Sequence, residues 1–288
     1  MSTTVPAVAV SRGRPRSRSW LRTIGPVGVI CLIVIVLAMV IAIIGPAIAP
    51  YDPTQSDLSL SYVGPDGGHV LGYDAQGRDV LSRLLAGARS SMVGPLAVVL
   101  LSMFAGTVLA IGAAWRGGLT DSVISSALDI AFAFPGIVLA ILAAAVFGPS
   151  LLAATLAISI AYTPYVARVL RGAALKERSL LYVSALEVQG ASALSICGRH
   201  LIPNMLPLIV AQATIMFGWA MVDLAAVSYL GLGVQPPNPD WGVMISENQA
   251  GILQGYPLPA LAAGACIVVV VVAFNVLGER LYEAAQHR

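Results

Sequence analysis

Long uncharged runs separated by short polar segments set the pattern of this 288-residue chain. A helix needs about 20 apolar residues to cross the hydrocarbon core of a bilayer. The stretch from Val27 to Ile44 is unbroken, and a first span is predicted over 24–46, ending at Gly45-Pro46. A second falls within the charge-free run between Arg89 and Arg116, over about 92–114. Residues 130–167 carry no charge, and Gly148-Pro149 breaks them. They predict a third span over about 123–147 and a fourth over about 150–168. The fifth and sixth fall at about 205–230 and 258–278. The fold class expected is all-α, a polytopic membrane protein with six transmembrane helices.

Two connections are long, 47–91 and 169–204. The first opens on the turn-rich Pro50-Tyr51-Asp52-Pro53. It ends in Asp79–Ser91, which predicts a short helix lying at the membrane surface. In the second, Leu180–Ser195 has helical composition interrupted by Gly190, and Pro203 and Pro207 mark the start of the fifth span, where proline is tolerated in a first helical turn. Ala47-Ile48-Ala49 resembles a signal cleavage site, but the preceding apolar run exceeds a signal core of about 7–15 residues, so a retained span is predicted.

Composition agrees. The chain is 58% hydrophobic and 10% charged, against about 25% charged in soluble domains. Six spans place both termini on one side. If that side is the cytoplasm, 13 of the 16 basic residues lie inside, and only Arg78, Arg83 and Arg89 lie outside. This asymmetry predicts cytoplasmic termini in an inner-membrane protein. The arginines at 12, 14, 16, 18 and 22 abut the first span, and their expected role is cytoplasmic anchoring, with no nucleic-acid partner.

Several chemistries find no support. No phosphate-cradling Gly-x-x-x-x-Gly-Lys-Ser/Thr is present, and the single lysine, Lys176, follows Leu175. His-Glu-x-x-His and the Gly-x-Ser-x-Gly elbow are absent. Cys31, Cys197 and Cys266 suggest neither a disulfide framework nor a zinc site, so no metal is expected. Asp129 and Asp223 fall inside predicted spans, where a carboxylate is costly and marks a candidate functional site. Each either lines a pathway that meets a polar or cationic group, or sits paired or hydrated near a helix end; proton coupling is a weaker third option.

The second long connection reads Tyr182-Val183-Ser184-Ala185-Leu186, Gly190-Ala191-Ser192, then Arg199-His200-Leu201-Ile202-Pro203-Asn204. This resembles the "EAA" loop of bacterial ABC importer permeases. Further matches are Ala49-Pro50-Tyr51-Asp52-Pro53, Leu71-Gly72-x-Asp74-x-x-Gly77-Arg78-Asp79 with Ser82-Arg83, Tyr165-Val166-Ala167-Arg168, Leu230-Gly231-Leu232-Gly233, Trp241-Gly242 and Ala273-Phe274-Asn275. Over about residues 20–288 the chain looks like the second permease, of the DppC/OppC type, of dipeptide/oligopeptide importers.

The resemblance implies a type I ABC permease fold. It implies a domain layout of a cytoplasmic tail over 1–23, a first helix over 24–46, an external loop over 47–91, a permease core over 92–282 with a cytoplasmic coupling loop at 169–204, and a tail over 283–288. It implies a transport subunit rather than an enzyme, in membrane lipid with a second permease, two ATPase subunits and an external substrate-binding protein. ATP and Mg would sit in the partners, with no cofactor in this chain. Coupling to the ATPase would fall on Tyr182, Ser184, Ala185, Glu187, Gly190, Ala191, Arg199, His200 and Pro203. Gly77, Arg78 and Asp79 would form an external structural motif, either packing the outer face against the partner permease or only a capped surface helix with mutually paired charges. Trp241 likewise would take a structural role or be only an interfacial anchor.

Two departures stand out. The family's loop glutamate is Ser184 here, and Glu187, one turn later, is a candidate replacement. A glutamate common before the Leu-Gly-Leu-Gly stretch is Leu224, with Asp223 beside it; one residue turns a helical side chain by about 100°, so whether Asp223 takes that role stays open. The resemblance also allows a non-peptide solute, such as a haem-like compound or nickel chelate. A self-sufficient ion-coupled carrier would show repeated halves, and no repeat is evident. A scaffold using only the docking loop is a further alternative.

Overall fold

The structure, a computed structural model, describes residues 20–286, with side chains described over 25–284. The tail expected over 1–23 falls mostly outside these residues, as do His287 and Arg288. The described residues form helices α1 (Trp20–Ile48), α2 (Val80–Arg116), α3 (Gly118–Phe132), α4 (Gly136–Phe147), α5 (Leu151–Arg178), α6 (Leu181–Val188), α7 (Ala193–Ile196), α8 (Ile202–Tyr229), α9 (Trp241–Leu253) and α10 (Leu258–Gln286). Five units are long and apolar enough to cross a membrane: Gly25–Ile48, α2, α5, the combined Ala193–Tyr229 and Leu258–Ala284. Counted together as one broken span, the α3–α4 pair, bent by 78°, makes six.

Two expectations are corrected. The surface helix expected over Asp79–Ser91 is not separate: it is the first part of α2, which runs 37 residues without a break. At about 1.5 Å per residue that is about 55 Å, well beyond a bilayer core of about 30 Å. Gly87, Gly94 and Pro95 all lie inside it. Gly94 lies under Leu224 and Leu151, so tertiary packing covers the residues that would weaken an isolated helix.

The third span, expected as one helix over about 123–147, is broken at Ala133–Pro135. Proline disfavours helical backbone in the residue before it and donates no hydrogen bond. Pro135 itself is extended, with ψ 135°, and restarts the chain as α4. The break expected at Gly148-Pro149 is present as well: Gly148 has φ +85°, and the Ser150 side chain caps α5 by accepting the Ala153 N–H at 3.1 Å.

At the centre, α2 packs along α5 and against α1 and α8, while α10 packs on α8, α1 and α9. Met92, Val99, Met103, Leu170, Met216 and Phe217 form the main core, and Phe217 stacks on Phe274 at 3.8 Å. Close approach rests on small residues, as in membrane bundles generally. A Cβ on Gly106 would lie 2.5 Å from Val166. Large apolar side chains such as Ile43, Phe104, Phe147 and Val268 face outward.

Candidate functional site

Functional side chains gather in three places: a polar network at the end where α2 begins, a broken-helix cavity inside the bundle, and a helical loop at the end where α2 stops.

The polar network grows from a tight turn. Asp74 Oδ1 accepts the N–H groups of Gln76 and Arg78, each at 2.9 Å, and its Oδ2 accepts Arg78 Nε at 2.7 Å. Gly77, within that turn, has φ +68°, and a Cβ there would lie 1.7 Å from the Asp57 carbonyl oxygen. Only glycine fits both constraints. Asp79 caps α2, accepting the Ser82 N–H at 2.7 Å, and its other oxygen meets His69 Nδ1 at 2.8 Å. The His69 ring stacks on Tyr51 at 4.0 Å.

Two arginines then converge on one carboxylate. Arg78 Nη2 and Arg83 Nη2 donate to Glu247 Oε2 at 2.6 and 2.9 Å. Arg83 Nη1 donates to the carbonyls of Pro53 and Pro237. Arg78, Arg83, Asp74 and Asp79 are all buried. The guanidinium of Arg78 is desolvated, but hydrogen bonds to Asp74 and Glu247 outweigh that and raise its pKa. Of the two readings of Gly77, Arg78 and Asp79, this excludes the self-paired surface helix: the charges are interior and tie the 57–79 segment to α2 and α9.

The same α9 contact buries Trp241, which is therefore not an interfacial anchor. Its Nε1 donates to the Leu84 carbonyl at 3.0 Å, and it is 4% exposed. Asp240 caps α9 and accepts Ser91 Oγ at 2.8 Å. Burial pushes its carboxyl pKa up.

Inside the bundle, the structure separates the two carboxylates. Asp129 on α3 accepts Arg168 Nη2 at 2.6 Å in an exposed pair. Asp223 on α8 accepts the Tyr162 hydroxyl at 2.9 Å. The α3–α4 break brings Gly136 beside it, where a Cβ would lie 3.7 Å from Asp223 Oδ2. Asp121, also on α3, pairs with Arg171.

At the far end, α6 and α7 lie across the ends of α2, α5 and α8. Helix α6 stops in a Schellman motif. Gly190 has φ +81°, its N–H donates to the Glu187 carbonyl, and the Ala191 N–H donates to the Leu186 carbonyl, both at 3.0 Å. Ser192 then caps α7. A π turn over Cys197–Leu201 leads into α8, whose Pro203 stands in the first turn. Wide turns of this kind mark points where a helix accommodates strain.

Val183, Ile196 and Leu201 form the loop's own small core, with Trp115, Tyr182 and Ala191 against it. Glu177 accepts both the Tyr182 hydroxyl and Asn204 Nδ2 at 2.7 Å. Burial, reinforced by Glu177, pushes the Tyr182 phenol up to about 12, so it remains a donor. Arg178 donates to the last carbonyls of α2, at Ala114 and Trp115, and lies 4.9 Å from the Trp115 ring centroid. Cations suit the carbonyl end of a helix.

Of the remaining loop residues, Ser184, Ala185, Glu187, Gly190, Arg199 and Pro203 are exposed, and His200 is half-buried with its ring 6.2 Å from that of Tyr182. Sequence reasoning assigned no role to Glu177, Arg178, Asn204, Tyr162 or Glu247. Glu177 and Arg178 had a signal, since they fall within the predicted 169–204 connection, just ahead of Tyr182; Glu247 lies 164 residues from Arg83 and had none.

The fold is thus a multi-pass bundle with a broken helix pair, a partly buried carboxylate and a capped loop at one end. Residues 91–288 match the family described as binding-protein-dependent transport system inner membrane component, and residues 26–65 match the N-terminal transmembrane domain of oligopeptide transport permease C. The chain belongs to the first of these families, the ABC importer permeases, and is a transport subunit of the inner membrane rather than an enzyme. The family works with an ATPase and a binding protein.

Among curated relatives, the chain is 34% identical to the probable D,D-dipeptide transport system permease protein DdpC of Escherichia coli, over 90% of this chain and 87% of that one. It is 36% identical to the dipeptide transport system permease protein DppC of Haemophilus influenzae, over 88% of each. It is 35% identical to the glutathione transport system permease protein GsiD of Pectobacterium atrosepticum, over 87% of this chain and 83% of that one.

Proposed function

We propose that this chain is one of two homologous permeases forming the pathway of an ATP-driven importer for di- or oligopeptides. The basic residues favour cytoplasmic termini, with the α6–α7 loop inside and the Arg78–Glu247 network outside. The peptide substrate is supported by the similarity to permeases of dipeptide and glutathione systems.

The observation that carries the coupling role is on the loop. Leu181, Val188 and Leu194 are 88%, 89% and 88% exposed, although the loop has a core of its own. Burying such a side chain is worth about 1.5–3 kcal/mol, so this end favours a docked partner, here the ATPase. Ser184, Ala185, Glu187, Gly190, Ala191, Arg199, His200 and Pro203 form or frame that surface, and Glu187 stands in for the glutamate replaced by Ser184.

The mechanism follows from the attachments. Tyr182 and Asn204 share Glu177, and Arg178 grips the end of α2. Displacing α6 therefore moves the ends of α2, α5 and α8 together, as a shift between packed arrangements. Closure of the ATPases around ATP and Mg would drive that displacement. This chain has no Gly-x-x-x-x-Gly-Lys-Ser/Thr with which to cradle ATP phosphates itself.

The test is ATPase activity of the complete assembly in lipid, with the binding protein empty or loaded with dialanine. Stimulation by the loaded protein is expected. Stimulation only by a different ligand removes the peptide assignment and keeps the importer. No response to any loaded binding protein removes the importer reading.

A further inference from the structure

The 78° break between α3 and α4 opens a cavity of about 220 Å³. Its wall is aromatic: Phe132 and Phe134 from the break, Tyr162 and Tyr165 from α5, and Trp219 from α8. The rings of Tyr165 and Trp219 are tilted by 58°, with centroids 5.4 Å apart. Behind Tyr162 and Gly136 stands Asp223.

Charge accounting separates this carboxylate from its neighbours. Asp129 is neutralised by Arg168, and Asp121 by Arg171. Arg168 also lies 4.8 Å from the Phe132 ring centroid, so the nearest cation at the cavity is already balanced. Among the described residues, Asp223 has no basic partner within ion-pair distance, and it accepts the Tyr162 hydroxyl. An ionised carboxylate accepts about four hydrogen bonds. A carboxylate inside a bundle is costly unless a counter-charge completes it. Aromatic rings near a carboxylate suit a cation, which the ring quadrupole attracts.

We propose that this cavity binds a primary ammonium group, with Asp223 as its counter-ion and Trp219, Tyr165 and the break's phenylalanines as its walls. Ligand pockets usually span about 300–1,000 Å³, so the cavity takes a head group rather than a whole peptide. Resting on the peptide-importer reading, that head group is the free N-terminus of the passing peptide. Tyr162 holds Asp223 Oδ2 and leaves Oδ1 for the ligand.

The test is carbodiimide labelling of Asp223 in native membranes carrying the complete transporter, quantified by mass spectrometry of the peptide bearing it. Asp223→Asn sets the background. Dialanine is expected to protect Asp223, and N-acetyl-dialanine, which has no ammonium, is expected not to. Trp219→Ala should raise the half-protecting dialanine concentration by about threefold or more, the scale of one lost cation–π contact. Equal protection by both peptides, protection by neither, or a carboxylate that never labels each overturns the proposal. Because the readout needs no hydrolysis, it separates this site from the importer reading: protection without ATPase stimulation keeps the site and removes the coupling, and the reverse removes only the site.

Discussion

The two ends of α2 are built on opposite plans. Where it begins, charge is inside: Asp74, Arg78 and Arg83 are buried around Glu247, and chain segments more than 150 residues apart meet there. Where it ends, apolar surface is outside: Leu181, Val188 and Leu194 stand almost fully exposed on a short helical loop. A closed ionic network has few alternative arrangements, since removing one member strands the others. A capped loop hinged on a few hydrogen bonds can move as a piece. The difference teaches that one end is made to hold its shape and the other to be held by something else.

That contrast is open to attack at several strengths. The largest effect is expected at Asp74→Ala, which leaves Arg78 and Arg83 sharing Glu247 alone. Removing one partner of a buried pair costs about 3–5 kcal/mol, and thermal unfolding of the purified chain in detergent should show it. Gly77→Ala comes next. Forcing a left-handed backbone on a residue with a side chain costs about 1–3 kcal/mol, and the Asp57 carbonyl must also move.

Gly190→Ala is the matched probe at the other end. Its φ is similar, but nothing lies within 4 Å of the added Cβ, so the loss should be smaller than at Gly77, about 1 kcal/mol. Equal losses at the two glycines would erase the difference between a crowded end and an open one. The smallest stability effect belongs to Val188→Ser, within about 0.5 kcal/mol as for ordinary surface changes, because its side chain touches little within the chain.

The apolar runs carried much of the architecture into view before any coordinates. Five long spans follow from them, and Gly190 and Pro203 delimit the loop because one needs a left-handed backbone and the other cannot continue a helix from within. Two features were misjudged for one shared reason: counting charge finds apolar length but not continuity. The run through 130–147 looked like one span, although Phe134-Pro135 carried a readable break. Residues 80–116 looked like two pieces, although α2 passes through Pro95 unbroken because its neighbours hold it.

The candidate sites were less legible. The partner of Arg78 and Arg83 was invisible, because Glu247 is distant in sequence and belongs to a stretch without a motif. Asp223 was visible as an intramembrane carboxylate, but its aromatic surroundings come from three different helices and required the bend at Pro135. Glu177 and Arg178 sat just ahead of Tyr182 in plain sight; what sequence could not supply was that one joins α6 to α8 and the other seizes the end of α2.

The most direct test of the two-ended account is a triple substitution, Leu181→Ser, Val188→Ser and Leu194→Ser, studied in the complete transporter in lipid. The account predicts that the chain melts within a few degrees of the unsubstituted one, while stimulation of ATP hydrolysis by dialanine-loaded binding protein is lost. Undiminished stimulation would contradict it, because the exposed aliphatic surface would then not be where the moving partner takes hold.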